Sequence, residues 1–342
     1  MSVRRARVLA ACAFLTTASS AAANADDCRL QRIASFDFTD NGTVAMPVSI
    51  EGTTLPMAID TGAEVSAVDP VVAGNLHLIE RPIRQGAMYN AKGEQFTYVA
   101  VLHSLGIGEM HANDVKLLVW PSRMSRDGRI AGVLGADLLR QFDVDIDFGA
   151  HKLTLFSQDH CPGKVVYWPA GNVAVVPMHV VNSGHNVLPA ILDGHEIDAL
   201  LDTGTTFSLL SMESARNIFG LTPNSPDMTK TGEIGAVQTA VYRHTFKSLG
   251  LEGLAIANPT FYIWDNLMKY SMTQAPHTGS RLSSANESGG VTDLTLGLRE
   301  LCHLHVYIAY KEQKLYITPA STPAAVSIGG TAAAPTTAVA AH

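Results

Sequence analysis

Charge is scarce in this sequence of 342 residues: Asp, Glu, Lys and Arg make up 16%, and the net charge is -7. A surface this thinly charged and slightly acidic supplies neither the basic face of a nucleic-acid binder nor the charge density of a solvating disordered chain. Beyond the N-terminus no stretch reaches the ~18 uninterrupted apolar residues of a membrane span. The 13 histidines contain no His-Glu-x-x-His, and single ones such as His103, His111, His179 and His195 read as surface or hydrogen-bonded residues. No serine sits in a Gly-x-Ser-x-Gly elbow, Ser66, Ser208 and Ser211 included, so the nucleophilic serine of a hydrolase is not indicated. The acidic run Asp143-Val144-Asp145-Ile146-Asp147 lacks the Gly and Glu of a calcium loop, with Phe148 and Thr154 in their places. Its alternation predicts a strand with one wet face. No metal and no cofactor are expected.

What the chain does have is apolar residues, 46% of the total, enough to bury a large core in two domains or one two-lobed unit. Arg4, Arg5 and Arg7, then Val8 to Thr17, then Ala23-Asn24-Ala25 form the three parts of a secretory signal. Residues 1-25 are therefore expected to be removed and the protein exported to the periplasm or medium. Residues 321-342, mostly Ala and Thr with Gly and Pro, are expected to be a disordered tail.

Between these ends the sequence repeats. Pro47, Gly52 and Asp60 recur as Pro189, Gly194 and Asp202, a shift of 142. Ser104-Leu105-Gly106-Ile107 recurs as Ser248-Leu249-Gly250-Leu251, and Lys152-Leu153-Thr154-Leu155 as Lys314-Leu315-Tyr316-Ile317. The shift grows late in the second copy, which places an insertion at Met268 to Gly290, a Ser-, Thr-, Gly- and Asn-rich stretch that reads as an exposed loop. The β-rich runs Val44 to Ile50, Gln95 to Leu102, Val115 to Trp120 and His151 to Phe156 make the first copy mostly strand. One short helix per copy is expected, at Ala136 to Gln141 and Leu298 to His303. The lobes are placed at 26-162 and 163-320, with a crossing near Val165 to Pro169. Cys28 and Cys161 bracket the first lobe and are expected to pair in an oxidising compartment.

Each copy carries Asp-Thr-Gly after an apolar run: Leu55 to Ile59 before Asp60-Thr61-Gly62, and Ile197 to Leu201 before Asp202-Thr203-Gly204. Each also carries, later, two residues, a Gly and a short helix: Val133-Leu134-Gly135-Ala136-Asp137 and Thr295-Leu296-Gly297-Leu298-Arg299. In these features the chain resembles the aspartic protease superfamily, pepsin-like in having two lobes on one chain and retropepsin-like in lobe size. The resemblance covers about Thr43 to Thr318. It implies an all-β fold with pseudo-twofold symmetry, a catalytic pair Asp60 and Asp202, and Thr61 and Thr203 bonded across the axis. It also implies a hairpin flap at Gln85 to Phe96, with Tyr89, Asn90 and Gly93 at its tip, and a peptide or protein substrate bound by a monomer.

Two carboxylates sharing one proton supply both the base that activates water and the acid that protonates the carbonyl. Gly62 and Gly204 permit the close backbone approach and donate their N–H groups. The copies differ next, with Ala63 facing Thr205. A Thr205 hydroxyl donating to Asp202 would favour the charged form there and leave Asp60 the more readily protonated partner. An aspartic endopeptidase is the expectation; a silent peptide-binding or scaffold protein of the same fold is the alternative, and a narrow processing enzyme a third.

Overall fold

A computed structural model describes residues 29-320 apart from 39-41, 85-87, 91-93, 125-128, 181-184, 235-237 and 265-291. The leader, the tail, Cys28, Gly93 and the expected insertion at 268-290 therefore lie outside the described residues.

The chain opens with β1 (Arg32–Asp37), β2 (Ala45–Ile50), β3 (Thr53–Ile59), β4 (Ala67–Val68) and helix α1 (Pro70–Asn75). Next come β5 (Ile79–Pro82), β6 (Met88–Tyr89), β7 (Gln95–Phe96), β8 (Tyr98–Leu102), β9 (Leu105–Ile107), β10 (Met110–Ala112) and β11 (Val115–Val119). The first lobe closes with β12 (Gly132–Leu134), α2 (Ala136–Leu139), β13 (Asp143–Asp147) and β14 (Lys152–Phe156). The second runs through β15 (Ala174–Pro177), β16 (His179–Val180), β17 (Asn186–Leu192), β18 (His195–Leu201), β19 (Leu209–Ser211) and α3 (Met212–Phe219). It continues with β20 (Thr229–Ile234), β21 (Thr239–Thr245), β22 (Ser248–Leu251), β23 (Leu254–Ala257) and β24 (Thr260–Trp264). It ends in β25 (Leu294–Leu296), α4 (Leu298–Leu301), β26 (Leu304–Ala309) and β27 (Lys314–Pro319).

The repeat read from the sequence is a repeat of topology. Lobe one forms a sheet in the order β10-β9-β2-β3-β12-β4-β11-β8-β5, and lobe two the matching order β23-β22-β17-β18-β25-β19-β24-β21-β20. In both, the strand that ends in Asp runs parallel to the strand that ends before the late Gly: Ile59 lies beside Leu134, and Leu201 beside Leu296. That pairing brings the two motifs of each lobe side by side. The strand ends are apolar because they are buried on both faces; Met57, Ile59, Leu134, Leu201 and Leu296 are all shut from solvent.

The fold is thus all-β and two-lobed, with a correction in the helices. Among the described residues each lobe has two helices, not one. The additional ones, α1 and α3, follow the Asp loops and are capped by side chains: Asp69 accepts from Val71 N at 2.8 Å and Ser211 from Ser214 N at 2.9 Å. Pro70 at the first helical position of α1 needs no partner for the N–H it lacks. Among the described residues no helix is long and apolar enough to cross a membrane.

A third, six-stranded sheet joins the lobes, in the order β1-β14-β13-β26-β27-β15. Its seam is the antiparallel pair β13 and β26, with Val144 opposite Ile308 and Ile146 opposite Val306. Here the expected wet face is overturned. The acidic run is a strand, but Asp143 and Asp145 are 0% and 1% exposed. Both sheet faces are covered, one by the apolar core and the other by His160 at the end of lobe one and by aromatic and histidine side chains from lobe two and the crossing segment. Asp143 Oδ2 lies 2.6 Å from His160 Nε2 and accepts from Tyr307 OH at 3.1 Å. Asp145 lies 2.7 Å from His305 Nε2 and accepts from Tyr167 OH at 2.5 Å. Trp168 stacks on His305 with ring centres 4.0 Å apart. Burying these carboxylates is tolerable because each is bonded several times over.

Candidate active site

The two Asp-Thr-Gly loops meet on the approximate twofold axis. Thr61 Oγ1 donates to Leu201 O at 2.7 Å and accepts from Thr203 N at 3.1 Å. Thr203 Oγ1 donates to Ile59 O at 2.7 Å and accepts from Thr61 N at 3.2 Å. Each hydroxyl therefore spends its proton and one lone pair on the opposite lobe. These groups are almost wholly buried, so removing one hydroxyl leaves an N–H and a C=O unpaired, which costs more than the bonds' modest net worth.

Asp60 and Asp202 sit next to this crossing, each 1% exposed. Each accepts its own glycine's N–H, Gly62 N at 3.1 Å and Gly204 N at 2.8 Å. The glycines face the other lobe's acid. A Cβ on Gly62 would lie 2.4 Å from Asp202 Cγ, and one on Gly204 would lie 2.3 Å from Asp60 Cγ. Glycine is thus required by what comes across the axis, as well as by its own turn.

Burial raises the pKa of both carboxyls. Asp60 is pushed well up by desolvation and then by the charge of Asp202, against the backbone N–H groups of Gly62 and Ala63. Asp202 is raised to about 6 by burial, opposed by the Gly204 and Thr205 N–H groups and by the bond from Asp60. Two buried acids this close cannot both ionise cheaply, so the pair holds one proton between them and titrates as a unit. Among the described residues, Asp202 Oδ2 is buried and accepts no bond from an N–H or hydroxyl group.

The hydroxyl expected to set the two acids apart is aimed elsewhere. Thr205 Oγ1 donates to Phe207 O at 3.3 Å, and Thr205 reaches Asp202 through its backbone N–H, as Ala63 does for Asp60. Its side chain turns toward its own loop carbonyl, so the hydroxyl is not what separates the two acids.

Behind the loops the late motifs act as props. Asp60 N donates to Leu134 O at 3.0 Å and Asp202 N to Leu296 O at 3.1 Å. The next N–H in each case, on Gly135 and Gly297, goes to Ser66 Oγ and Ser208 Oγ, both at 2.9 Å. Gly135 and Gly297 pack directly against the loop backbones at Ala63 and Phe207. The serine hydroxyls pass on to carboxyls in the short helices, Ser66 to Asp137 at 2.6 Å and Ser208 to Glu300 by a very short bond. These four residues were not read as part of the site. Ser66 and Ser208 share the shift of 142 with the aspartates, which was the available signal.

At the expected flap, β6 and β7 form a two-stranded hairpin with Met88 opposite Phe96 and Tyr89 opposite Gln95. Asn90 closes it, donating from its backbone and amide to Glu94 at 3.0 and 2.7 Å. Phe96 packs edge-on against Trp120, which fixes the hairpin's base to lobe one. Tyr89 is half-buried and Gly93 lies outside the described residues. From lobe two, His185 bonds to the Gly62 backbone, and burial lowers its pKa. Cys161 is in a disulfide; its expected partner, Cys28, lies outside the described residues. Among the described residues no group of three or more His, Cys, Asp or Glu side chains is placed to hold a metal ion.

Two copies of one sheet, crossed threonines and a buried pair of carboxyls define a bilobal, aspartyl-protease-like site. The comparisons agree lobe by lobe. The family described as "gag-polyprotein putative aspartyl protease" matches residues 46–141, and the family "aspartyl protease" matches residues 188–298. The chain belongs to the aspartic protease superfamily. No curated protein matches it. Among solved structures, it is similar to an aspartic proteinase from Irpex lacteus at 13% identity and TM-score 0.47, covering 86% of this chain and 99% of that one. Basic 7S globulin from soybean gives 10% identity and TM-score 0.44, covering 86% and 96%. A retropepsin-like aspartic protease from Rickettsia conorii gives 16% identity and TM-score 0.29, covering 44% and 95%.

Proposed function

We propose that the protein is an aspartic endopeptidase in which Asp60 and Asp202 hydrolyse a peptide bond through a shared water. The observation that carries this reading is the reciprocal packing of Gly62 on Asp202 and Gly204 on Asp60, which sets two buried acids against each other across the axis. Asp202, ionised, takes a proton from water as the oxygen attacks the carbonyl carbon; Asp60 gives its proton to the carbonyl oxygen. As the tetrahedral intermediate collapses, Asp202 gives the proton it took from water to the amine nitrogen while the C–N bond breaks, and Asp60 recovers a proton from the gem-diol hydroxyl as the carboxylic acid forms. An extended peptide paired as an added strand along the hairpin β6–β7 suits a cleft between two sheets. The disulfide at Cys161 supports export to an oxidising compartment.

Incubation of the chain lacking residues 1-25 with a peptide library between pH 3 and 7 tests the reading. Cleavage that disappears in Asp202→Asn and with a statine-type inhibitor is the expected result. Peptide bound but never cut across that range refutes it and leaves a binding protein of the same fold.

A further inference from the structure

The strand register of lobe two leads a row of side chains away from Asp202. Leu200, two residues before the acid, lies opposite Thr295, Thr295 opposite Leu209, Leu209 opposite Tyr262, and Tyr262 opposite Arg243. Directly opposed residues share a face of the sheet. Neighbouring strands are about 4.8 Å apart, so Arg243 stands roughly 19 Å from Leu200 along the row. The Asp202 loop runs the same way. It reaches Phe207, whose ring packs edge-on to Tyr262 with centres 4.9 Å apart and carries the Arg299 guanidinium 5.1 Å from its own centre. Beside these rings opens a cavity of about 500 Å³, lined by Arg243 of β21, by Asn258, and by Arg299, Glu300 and His303 of α4 and its end.

Both guanidinium groups belong to lobe two alone. The matching row of lobe one runs Ala58, Val133, Ala67, Leu118, Val99, with Val99 where lobe two has Arg243. Asp137 stands two residues after Gly135, where Arg299 stands after Gly297. The chain has a net charge of -7, yet among the described residues neither arginine is paired with a carboxylate. The one carboxyl in the lining, Glu300, is 3% exposed and accepts the Ser208 hydroxyl. Even with Glu300 ionised, the two arginines leave the lining positive.

From this placement we propose, resting on the proteolytic reading above, that the cavity is a subsite for a carboxylate of the bound peptide, an Asp or Glu side chain or the peptide's own C-terminus. A guanidinium offers its N–H groups in a planar fork that matches the two oxygens of a carboxylate. Between the acids and the arginines the peptide crosses Leu209, Phe207 and Tyr262, an apolar and aromatic floor that is half-buried. An extended chain advances about 3.3 Å per residue, so the carboxylate comes from about six residues beyond the bond that is cut. The substrate class is a peptide with negative charge remote from its scissile bond.

The test has a kinetic arm and one independent of turnover. In one peptide series a single Glu is stepped from about three to about eight residues away from the cleaved bond, on either side. At one register it should lower KM about tenfold against Gln at the same place, with kcat within about twofold, as for binding felt equally before and during reaction. A second series without acidic side chains ends at the same places in a free carboxylate or an amide. A preference in either series that is lost in Arg243→Gln and Arg299→Gln, and shrinks as salt is raised, supports the subsite and says which carboxylate it takes. A KM blind to charge at every register of both series, or a preference that survives both variants, overturns it. In the second arm the same peptides, labelled, are bound to Asp202→Asn and read by fluorescence anisotropy. If no peptide is cut, the proteolytic reading falls, and a tenfold difference in Kd between charged and neutral peptides still decides whether the cavity takes a carboxylate. Arg243 is exposed, so its replacement decides the matter if Arg299→Gln does not fold.

Discussion

Lobe one braces its Asp-Thr-Gly loop through Asp137, which accepts Ser66 Oγ, Ser66 N and its own helix's Leu138 N; lobe two uses Glu300 and the Ser208 hydroxyl. The backbones they support are copies, with Asp60 N on Leu134 O and Asp202 N on Leu296 O at nearly the same distance. The comparison shows which parts of a duplicated site are fixed by topology and which are free to drift. Parallel pairing of β3 with β12 and of β18 with β25 dictates where the loops go. The side chain that braces them has only to offer an oxygen to a serine.

The comparison breaks most severely at the acids themselves. Asp60→Asn and Asp202→Asn are each expected to lower kcat by about 10³-fold or more, since each removes a group the proton transfer needs; initial rates on a fluorogenic peptide read this. Next come the glycines. Gly62→Ala and Gly204→Ala place a carbon 2.4 and 2.3 Å from the opposite Asp Cγ, and each should cost about 100-fold in kcat by misplacing that acid. Unequal losses would show that one loop yields more than the other.

The pH dependence of folding should separate the lobes further. Glu300 is raised from 4.5 to about 7, so between these values the folded protein holds a proton the unfolded chain has released. Stability from this group is complete below about 4.5 and is lost as pH rises through 7, on the order of 3 kcal/mol for a shift of this size. Urea denaturation at pH 4.5 and 7.5 measures it, and Glu300→Gln should flatten the slope. Thr61→Val and Thr203→Val should each destabilise by about 2 kcal/mol, because each strands an N–H and a C=O across the axis. Equal values would confirm that the crossing is symmetric. The smallest effect is expected for Thr205→Ala, about 1 kcal/mol from the lost buried methyl and with an unchanged pH profile, since among the described residues the hydroxyl bonds Phe207 O, at 3.3 Å. A shifted profile there would show that the hydroxyl does reach the acid pair.

The repeat, the strands and the pairing of Asp60 with Asp202 in one place were legible because a duplicated lobe writes its motifs twice at a constant offset. What escaped notice did so for definable reasons. Helix α1 is announced by Asp69-Pro70, a cap followed by the residue suited to the first helical position, but its six residues are too short to show a helical period. Alternation in Asp143 to Asp147 identified a strand; it reports which face meets the first core, and cannot report that His160, Tyr167 and His305 cover the other. Glu300 was hidden because it does not occupy the position of Asp137. A longer side chain reaches the serine from the next residue along, and an offset search compares positions, not reach. Thr205 was misread because residue type fixes what a hydroxyl can do and leaves open which acceptor is nearer.

The reciprocal seating of each glycine on the other lobe's acid has a further consequence, for inheritance. Half of this site is unfinished: a lone lobe presents one carboxyl and a glycine with nothing to rest on. In a symmetric dimer of such lobes every substitution arrives twice, on both sides of the axis at once. Joined in one chain, the halves mutate separately, so a threonine can replace an alanine, or a glutamate take over from an aspartate, while the opposite half goes on holding the geometry.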